Sequence, residues 1–271
     1  MPRLITSLQN PLVKNVMALT EKSRERKKQG LFVAEGLREV GMALKKGFRA
    51  ECLFYEESKT SPEALDELFV EGVEEPRDLY IVSPAIMEKI AYRANVPNVV
   101  ALMHRRDLRL SELPVSQNPL VLILETVEKP GNLGAILRTA DAAGVDAVIV
   151  CDPLVDEYNP NVIRSSLGAI FSVPVVTTDA EPALAWLHRQ GIRVFATYLE
   201  ASAPYFASDF KGPSAFVLGS EANGISAFWV RESAQRIIIP MHGQVDSLNV
   251  SVSAGIVLFE ALRQRTANAG V

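Results

Sequence analysis

Two rhythms of apolar and polar residues run along this chain. In the second half, short runs that are apolar throughout recur: "LVLILET" (120–126), "DAVIVC" (146–151), "VPVVTT" (173–178), "RVFATYL" (193–199), "AFVLGS" (215–220) and "RIIIPM" (236–241). Between them lie segments of helical period at 132–143, 160–171, 181–190 and 225–234. Strands without a polar face that alternate with helices predict a parallel sheet covered on both sides. The first half is less regular. "LFVAEG", "AECLFYEE", "DLYIVS" and "VVALMH" read as strands, and "LREVGMALKKG", "SPEALDELFVEG" and "SPAIMEKIAYR" as the helices among them. That is a small α/β unit ending near residue 105. Ahead of it, "NPLVKNVMALTEKSRERKKQG" predicts one basic helix, with Asn10 as its cap, Pro11 in its first turn and Gly30 as its stop. "RRDLRLSELPVSQNP" has no periodicity and reads as a linker. The expected organisation is a domain at 1–106, a linker at 107–118 and a second domain at 119–271. The last long apolar segment, "SLNVSVSAGIVLFEALRQR" (247–265), begins like a strand, Leu248, Val250 and Val252 alternating with Asn and Ser. It ends like an amphipathic helix with a basic last turn.

Composition narrows the possibilities. A chain of 271 residues can bury about 75% of its unfolded surface and needs no covalent staples. Two distant cysteines, Cys52 and Cys151, argue against a disulfide framework and a cysteine zinc site. The three histidines form no metal-binding pair, so no metal is expected. No apolar run reaches the roughly 18 residues of a membrane span and no signal-peptide core precedes the first domain, so the expected location is the cytoplasm. Net charge is −4, but it is unevenly spread. Residues 1–50 carry 11 Lys and Arg against 4 acids, whereas residues 51–100 carry 4 against 11. A basic arm of this kind can meet nucleic-acid phosphate through Lys22, Arg24, Arg26, Lys27 and Lys28, or can simply be a solvated helix face.

Parallel sheets bind ligands at the carboxyl ends of their strands, so each strand exit is a candidate site. The first exit, "ETVEKPGNLGAILRTADAAG", lacks both the dinucleotide fingerprint and the phosphate-loop spacing. Asn132 stands where a helix cap belongs, and Arg138 lies two turns into a helix of small and apolar residues, where an arginine needs a partner. The fifth exit puts Glu221 between Gly219 and Gly224, either capping the next helix or orienting a basic group or ligand. At the sixth exit, Ser247 and Asn249 fall on one side if the stretch is extended, and a bound ligand could satisfy the main chain at the strand-to-helix junction; a capped helix is the alternative.

Taken together, "EKPGNLGAILRTADAAGVDAVIV", "FVLGSEANGIS" and "IPMHGQVDSLNVSVSAGIVLFEALRQR" resemble, in order and spacing, the three signature motifs of the SpoU (TrmH-type) RNA 2′-O-ribose methyltransferases. The likeness covers about 118–266. It extends weakly to "ITSLQNPLVKNVMALTEKSRERKKQGLFVAEGLREV", which is similar to the substrate-binding domain of ribosomal-RNA members. The resemblance implies an α/β fold whose carboxyl-terminal segment threads a loop to form a trefoil knot, the SPOUT architecture, with a ribosomal-protein-like α/β domain ahead of it. It implies a homodimer, S-adenosylmethionine as methyl donor and an RNA ribose as acceptor. Carried over position by position, Asn132, Arg138, Glu221, Ser247 and Asn249 correspond to the functional polar residues, and Gly219, Ile239 and Leu248 to the cofactor-contacting positions. Lys129 stands where many members have Asp, which leaves the role of that loop open. The expected substrate is 23S ribosomal RNA. A transfer-RNA enzyme, an antibiotic-resistance enzyme and a catalytically inactive RNA-binding or ribosome-assembly module are the alternatives.

Overall fold

The structure, a computed structural model, describes residues 2–70, 72–92, 95–200, 202–245 and 247–266. It divides into two compact units: Met1–Arg106 together with Asp156–Ser172, and Asp107–Val155 together with the chain from Val173 onward.

The first unit is built on a five-stranded mixed sheet. Its strands are β1 (Arg3–Ile5), β2 (Leu31–Glu35), β3 (Ala50–Tyr55), β4 (Asp78–Val82) and β5 (Val99–His104), in the spatial order β1-β4-β3-β5-β2. β1, β4 and β3 are parallel, while β5 runs antiparallel to both β3 and β2. Helices α1 (Pro11–Glu21), α2 (Ser23–Gln29), α3 (Leu37–Lys45), α4 (Pro62–Asp66) and α5 (Pro84–Ile90) complete its first 106 residues. Asn10 caps α1 as expected, its side chain accepting from the Leu12 N–H, and Gly30 closes α2 in the left-handed region at φ 65°.

The single basic helix expected at 10–29 is in fact two. The chain breaks at Lys22, whose φ of −115° and ψ of 110° are extended. Arg26 explains the break: its Nη1 donates to the carbonyls of Leu19 (2.7 Å) and Thr20 (3.1 Å), orphan acceptors at the end of α1, so its guanidinium terminates the preceding helix. Its Nε donates to Asp156 at 2.6 Å.

Asp156 heads the segment 156–172, which leaves the second half of the sequence to fold with the first unit. The expected helix at 160–171 is shorter. α7 (Pro160–Ser165; the intervening α6 lies in the second unit) ends in a turn with Leu167 at φ 53° and Gly168 at φ 86°, followed by a 3₁₀ turn at Ala169–Phe171. The left-handed φ at position 168 calls for glycine; a Cβ there would also lie 2.8 Å from the Met42 sulfur, which would have to shift. Phe171 stacks on Phe32, whose ring also stacks on Tyr158 at 4.4 Å between centroids.

The second unit is a seven-stranded sheet in which every pairing is parallel. It consists of β6 (Leu120–Glu125), β7 (Ala147–Cys151), β8 (Val175–Thr178), β9 (Arg193–Thr197), β10 (Ala203–Pro204), β11 (Ser214–Leu218) and β12 (Gln235–Ile238). The order β10-β12-β9-β11-β6-β7-β8 places β6, β11 and β9 at the centre. β6, β7 and β11 are buried at every residue, as strands covered on both faces must be. Helices α6 (Pro130–Ala142), α8 (Ala180–Arg189), α9 (Ala227–Glu232) and α10 (Val250–Thr266) cover it. α8 and α9 deliver Leu187 and Trp229 to one core with Val121, Ile149, Val194 and Val217. Leu113, from the stretch expected to be a linker, is buried in that same core, and Leu108 and Leu110 pack against it.

The strand expected at the start of the last segment is a helix instead. α10 begins at Val250, and Asn249 caps it: its carbonyl accepts from the N–H groups of Val252 and Ser253, and its Oδ1 from the Ser251 N–H at 3.0 Å. At the other end the basic last turn is consumed internally. Arg265 donates to the carbonyls of Phe210, Asn118, Gly212 and Pro119, tying the helix to the chain entering β6.

Candidate functional site

Three loops meet at the carboxyl edge of the second sheet, those leaving β6, β11 and β12. The first turns sharply. Thr126 sits at φ 52°, unusual for a β-branched residue, with its N–H held by the Cys151 carbonyl at 3.0 Å, and Pro130 then opens α6. The second is tighter still. Ser220 and Gly224 exchange both backbone hydrogen bonds, at 3.1 and 3.0 Å. A Cβ on Gly219 would fall 1.9 Å from the Gly224 carbonyl oxygen, so the close approach that the paired glycines signal is the loop folding on itself. Buried Glu125, at the end of β6, accepts from the Ser226 N–H at 2.6 Å and fixes where this loop enters α9.

The loops leaving β11 and β12, with the one following β9, wall a cavity of about 430 Å³. Gly219, Ile239, Ser247 and Leu248 line it, and so does Glu221. Leu218, Ile237, Ile238 and Met241 supply apolar wall, and Tyr198, Leu199 and Glu200 close the β9 side. A cavity of this size with an apolar body and a few polar groups at its margin is of the kind that takes a small organic cofactor.

At its margin lies a hydrogen-bonded cluster that draws together residues 117 positions apart. Glu221 Oε1 accepts from Asn132 Nδ2 at 2.9 Å and from Asn249 Nδ2 at 2.6 Å. Asn249 Nδ2 also reaches Asn132 Oδ1 at 3.2 Å. The Lys129 ammonium holds Oε2 of the same carboxylate. Hydrogen bonds from Lys129 and Asn132 keep the Glu221 carboxyl below its ordinary range, and the same pairing raises the Lys129 ammonium.

Several expectations change against this geometry. Asn132 lies in the first turn of α6 rather than at its cap; Lys129 occupies the cap position without a side-chain cap bond. Ser247 lines the cavity but takes no part in the cluster. Arg138 is exposed rather than nearly buried, and among the described residues it makes no hydrogen bond or ion pair; the buried face of α6 is carried by Leu133, Ile136, Leu137 and Ala140 instead. In the basic stretch, Lys22, Arg24, Lys27 and Lys28 are exposed, whereas Arg26 is fully buried and paired, so it is not available to phosphate. Sequence reasoning gave Lys129 no partner and gave Asp156 no role. Nothing in the local pattern around either residue identifies its partner. Among the described residues no cluster of His, Cys, Asp or Glu is arranged to hold a metal ion, and no helix is long and apolar enough to cross a membrane.

A parallel sheet with a cofactor-sized cavity and a polar cluster at the same strand ends defines a ligand-binding α/β unit. Comparison with known proteins says which. The profile of the SpoU rRNA methylase family matches residues 119–259, and that of the MRM3-like substrate binding domain matches residues 10–101. The chain belongs to the SpoU rRNA methylase family. It is 31% identical over 94% of its length to a 23S rRNA (guanosine(2553)-2′-O)-methyltransferase of Bacillus subtilis, of which it covers 97%. A crystal structure of an RNA 2′-O ribose methyltransferase superposes with a TM-score of 0.83 at 38% identity, covering 97% of this chain and 99% of that one. An AdoMet-bound rRNA methyltransferase from Sinorhizobium meliloti superposes with a TM-score of 0.86 at 32% identity, covering 96% and 97% respectively.

Proposed function

We propose that this protein transfers the methyl group of S-adenosylmethionine to a ribose 2′-hydroxyl of 23S ribosomal RNA. The observation that carries this reading is the convergence of Asn132, Glu221 and Asn249, from the exits of three separate strands, at the margin of the cavity lined by Gly219, Ile239 and Leu248. The B. subtilis relative named for guanosine 2′-O-methylation, aligned over nearly the whole chain, supports the substrate. The S. meliloti structure with AdoMet bound supports the cofactor.

The residues present fit that cofactor. Main chain at Gly219, Ile239 and Leu248 offers hydrogen-bonding groups for an adenine edge, and Leu218, Ile238 and Met241 offer apolar surface for its faces. When bound, the sulfonium supplies an activated methyl group and its own leaving group. The protein would then hold the 2′-oxygen in line, so that the methyl carbon bonds to it as the carbon–sulfur bond breaks and the hydroxyl proton passes to solvent water, and would stabilise the charge the oxygen develops. Orientation of this kind can contribute about 7–11 kcal/mol. Arg138 acts as a clamp on the neighbouring phosphate and an electrostatic partner for the developing alkoxide. Asn132, Glu221, Ser247 and Asn249 orient the ribose.

The finer architecture belongs to the same proposal. The carboxyl-terminal segment threads a preceding loop as a trefoil knot; the placement of Leu248 and Val250 in the wall of a cavity formed by the exits of β9, β11 and β12 supports it. The enzyme works as a homodimer in the cytoplasm. Lys22, Arg24, Lys27 and Lys28 contribute salt-dependent contacts to RNA phosphate, and the match of residues 10–101 to a substrate-binding domain supports that role.

The test is transfer of radiolabelled methyl from S-adenosylmethionine to unmodified ribosomal RNA, followed by mapping of the 2′-O-methyl position. Label on a single 23S ribose supports the reading. Transfer to transfer RNA alone, or to no RNA while the protein still binds it, replaces it.

A further inference from the structure

Lys129 is the one member of the polar cluster that the proposed reaction leaves without a role. Its position in the fold gives it one. It stands between the end of β6 and the first turn of α6, 92 residues before Glu221, and its ammonium takes the carboxylate oxygen that neither asparagine uses. Glu221 therefore has one oxygen on Lys129 and the other shared by Asn132 and Asn249. A carboxylate held on both oxygens cannot rotate without breaking bonds to two other segments. The orientation passes on: Asn249, whose Nδ2 is committed to Glu221, must turn its Oδ1 toward the Ser251 N–H and hydroxyl, which is how it caps α10. With an aspartate at position 129 the neighbour would repel Glu221 instead.

We propose that Lys129 is a positioning residue for methyl transfer: its ammonium fixes Glu221 and, through it, the amides of Asn132 and Asn249, clasping the loops after β6 and β11 to the start of α10. This rests on the proposed function. Among the described residues the charged groups around the clasp are few. Lys129 is the cation facing Glu221, Asn132 and Asn249 are its neutral donors, and Glu128 lies beside Lys129 on its own loop. The clasp holds while Glu221 is ionised. Because Lys129 and Asn132 keep its carboxyl below the ordinary range, that state persists to lower pH than an isolated glutamate allows.

The experiment compares wild type with Lys129→Met and Lys129→Arg, each as full-length protein with S-adenosylmethionine and ribosomal RNA. Lys129→Met keeps the length of the stem and removes the charge. It should lower kcat on the order of tenfold while KM for S-adenosylmethionine changes little, since a displaced reacting group costs rate before it costs binding. Its acid limb should move to higher pH, because Glu221 protonates earlier without the ammonium. Lys129→Arg should recover most of kcat and the wild-type acid limb. Wild-type kcat and pH profile in Lys129→Met, or an equal loss in Lys129→Arg, overturns the clasp. If wild-type protein transfers no methyl to any RNA, the proposed function fails separately. The clasp is then decided by the Glu221 carboxyl titration followed by NMR: a midpoint that rises in Lys129→Met supports it, and one that does not move overturns it.

Discussion

Each unit of this molecule contains a charged network that spans distant parts of the sequence, and the two differ in one physical respect. In the first unit, Asp156 lies between Arg26 and Arg105, with side-chain exposures of 3%, 1% and 6%. In the second, Lys129 and Glu221 are 66% and 29% exposed, at the edge of a cavity. A fully buried guanidinium has given up its hydration and needs every donor answered. Arg26 answers its Nε and Nη1 with a carboxylate and two carbonyls, and its burial keeps it from any ligand in solution. The exposed network is held more weakly but remains within reach of solvent and of anything that enters the cavity. Charge alone does not distinguish architecture from chemistry here; burial does.

The largest effect that could break this contrast is on stability. Asp156→Ala leaves Arg26 and Arg105 as buried cations deprived of that carboxylate and should cost about 3–5 kcal/mol in denaturant unfolding. Lys129→Ala, at an exposed pair, should stay within about 1 kcal/mol of wild type. Equal losses would erase the distinction. The pH dependence has a definite sign. Burial raises the Asp156 carboxyl, but Arg26 and Arg105 together outweigh it and hold it below its ordinary value. Its contribution is therefore full above the ordinary carboxylate range and is lost as pH falls through the depressed folded-state value. Asp156→Ala should lose that part of the acid sensitivity.

Activity should show the reverse order. Arg138→Ala removes an exposed guanidinium that makes no hydrogen bond or ion pair among the described residues, so its melting temperature should match wild type. Its rate of methyl transfer should fall by on the order of 10²–10³, the scale for losing one electrostatic donor at a reacting oxygen. S-adenosylhomocysteine binding by calorimetry should be retained. Parallel losses of transfer and cofactor binding would make Arg138 a structural residue and would move it to the other side of the comparison.

These two networks also mark how far the sequence could be read. The all-parallel sheet was legible because β6, β7 and β11 carry no polar face, and the meeting of Asn132, Glu221 and Asn249 could be anticipated because all three stand at strand exits. What was not legible depends on partners far along the chain. Arg26 sits among Arg24, Lys27 and Lys28 in a run that reads as uniformly solvated, and only Asp156, 130 residues away, tells it apart. The removal of 156–172 to the first unit likewise leaves no local trace, since its apolar period is that of any covering helix. Alternation misled at 248–252 because the capped first turn of a helix can carry Ser and Asn beside Val as a strand does; Asn249 decides for the helix through its side-chain bond to the Ser251 N–H.

The smallest effect is the one that separates Arg26 from its neighbours. Exposed Lys27 and Lys28 are the residues proposed to meet RNA phosphate, and each contact of that kind adds about 0.7–0.9 to the slope of log K against log salt. Lys27→Ala with Lys28→Ala should lower ribosomal-RNA affinity several-fold at low salt and flatten the slope by up to about 2, while leaving the unfolding midpoint in place. Arg26→Met should do the opposite: the slope of the fraction that remains folded is unchanged, because a guanidinium buried against Leu19, Thr20 and Asp156 is out of reach of phosphate, and stability falls instead. A flattened slope in Arg26→Met would mean that the buried network opens on RNA and that the two networks are not different in kind. An unchanged slope in the lysine pair would take α2 out of the RNA interface and leave its charge as ordinary solvated surface.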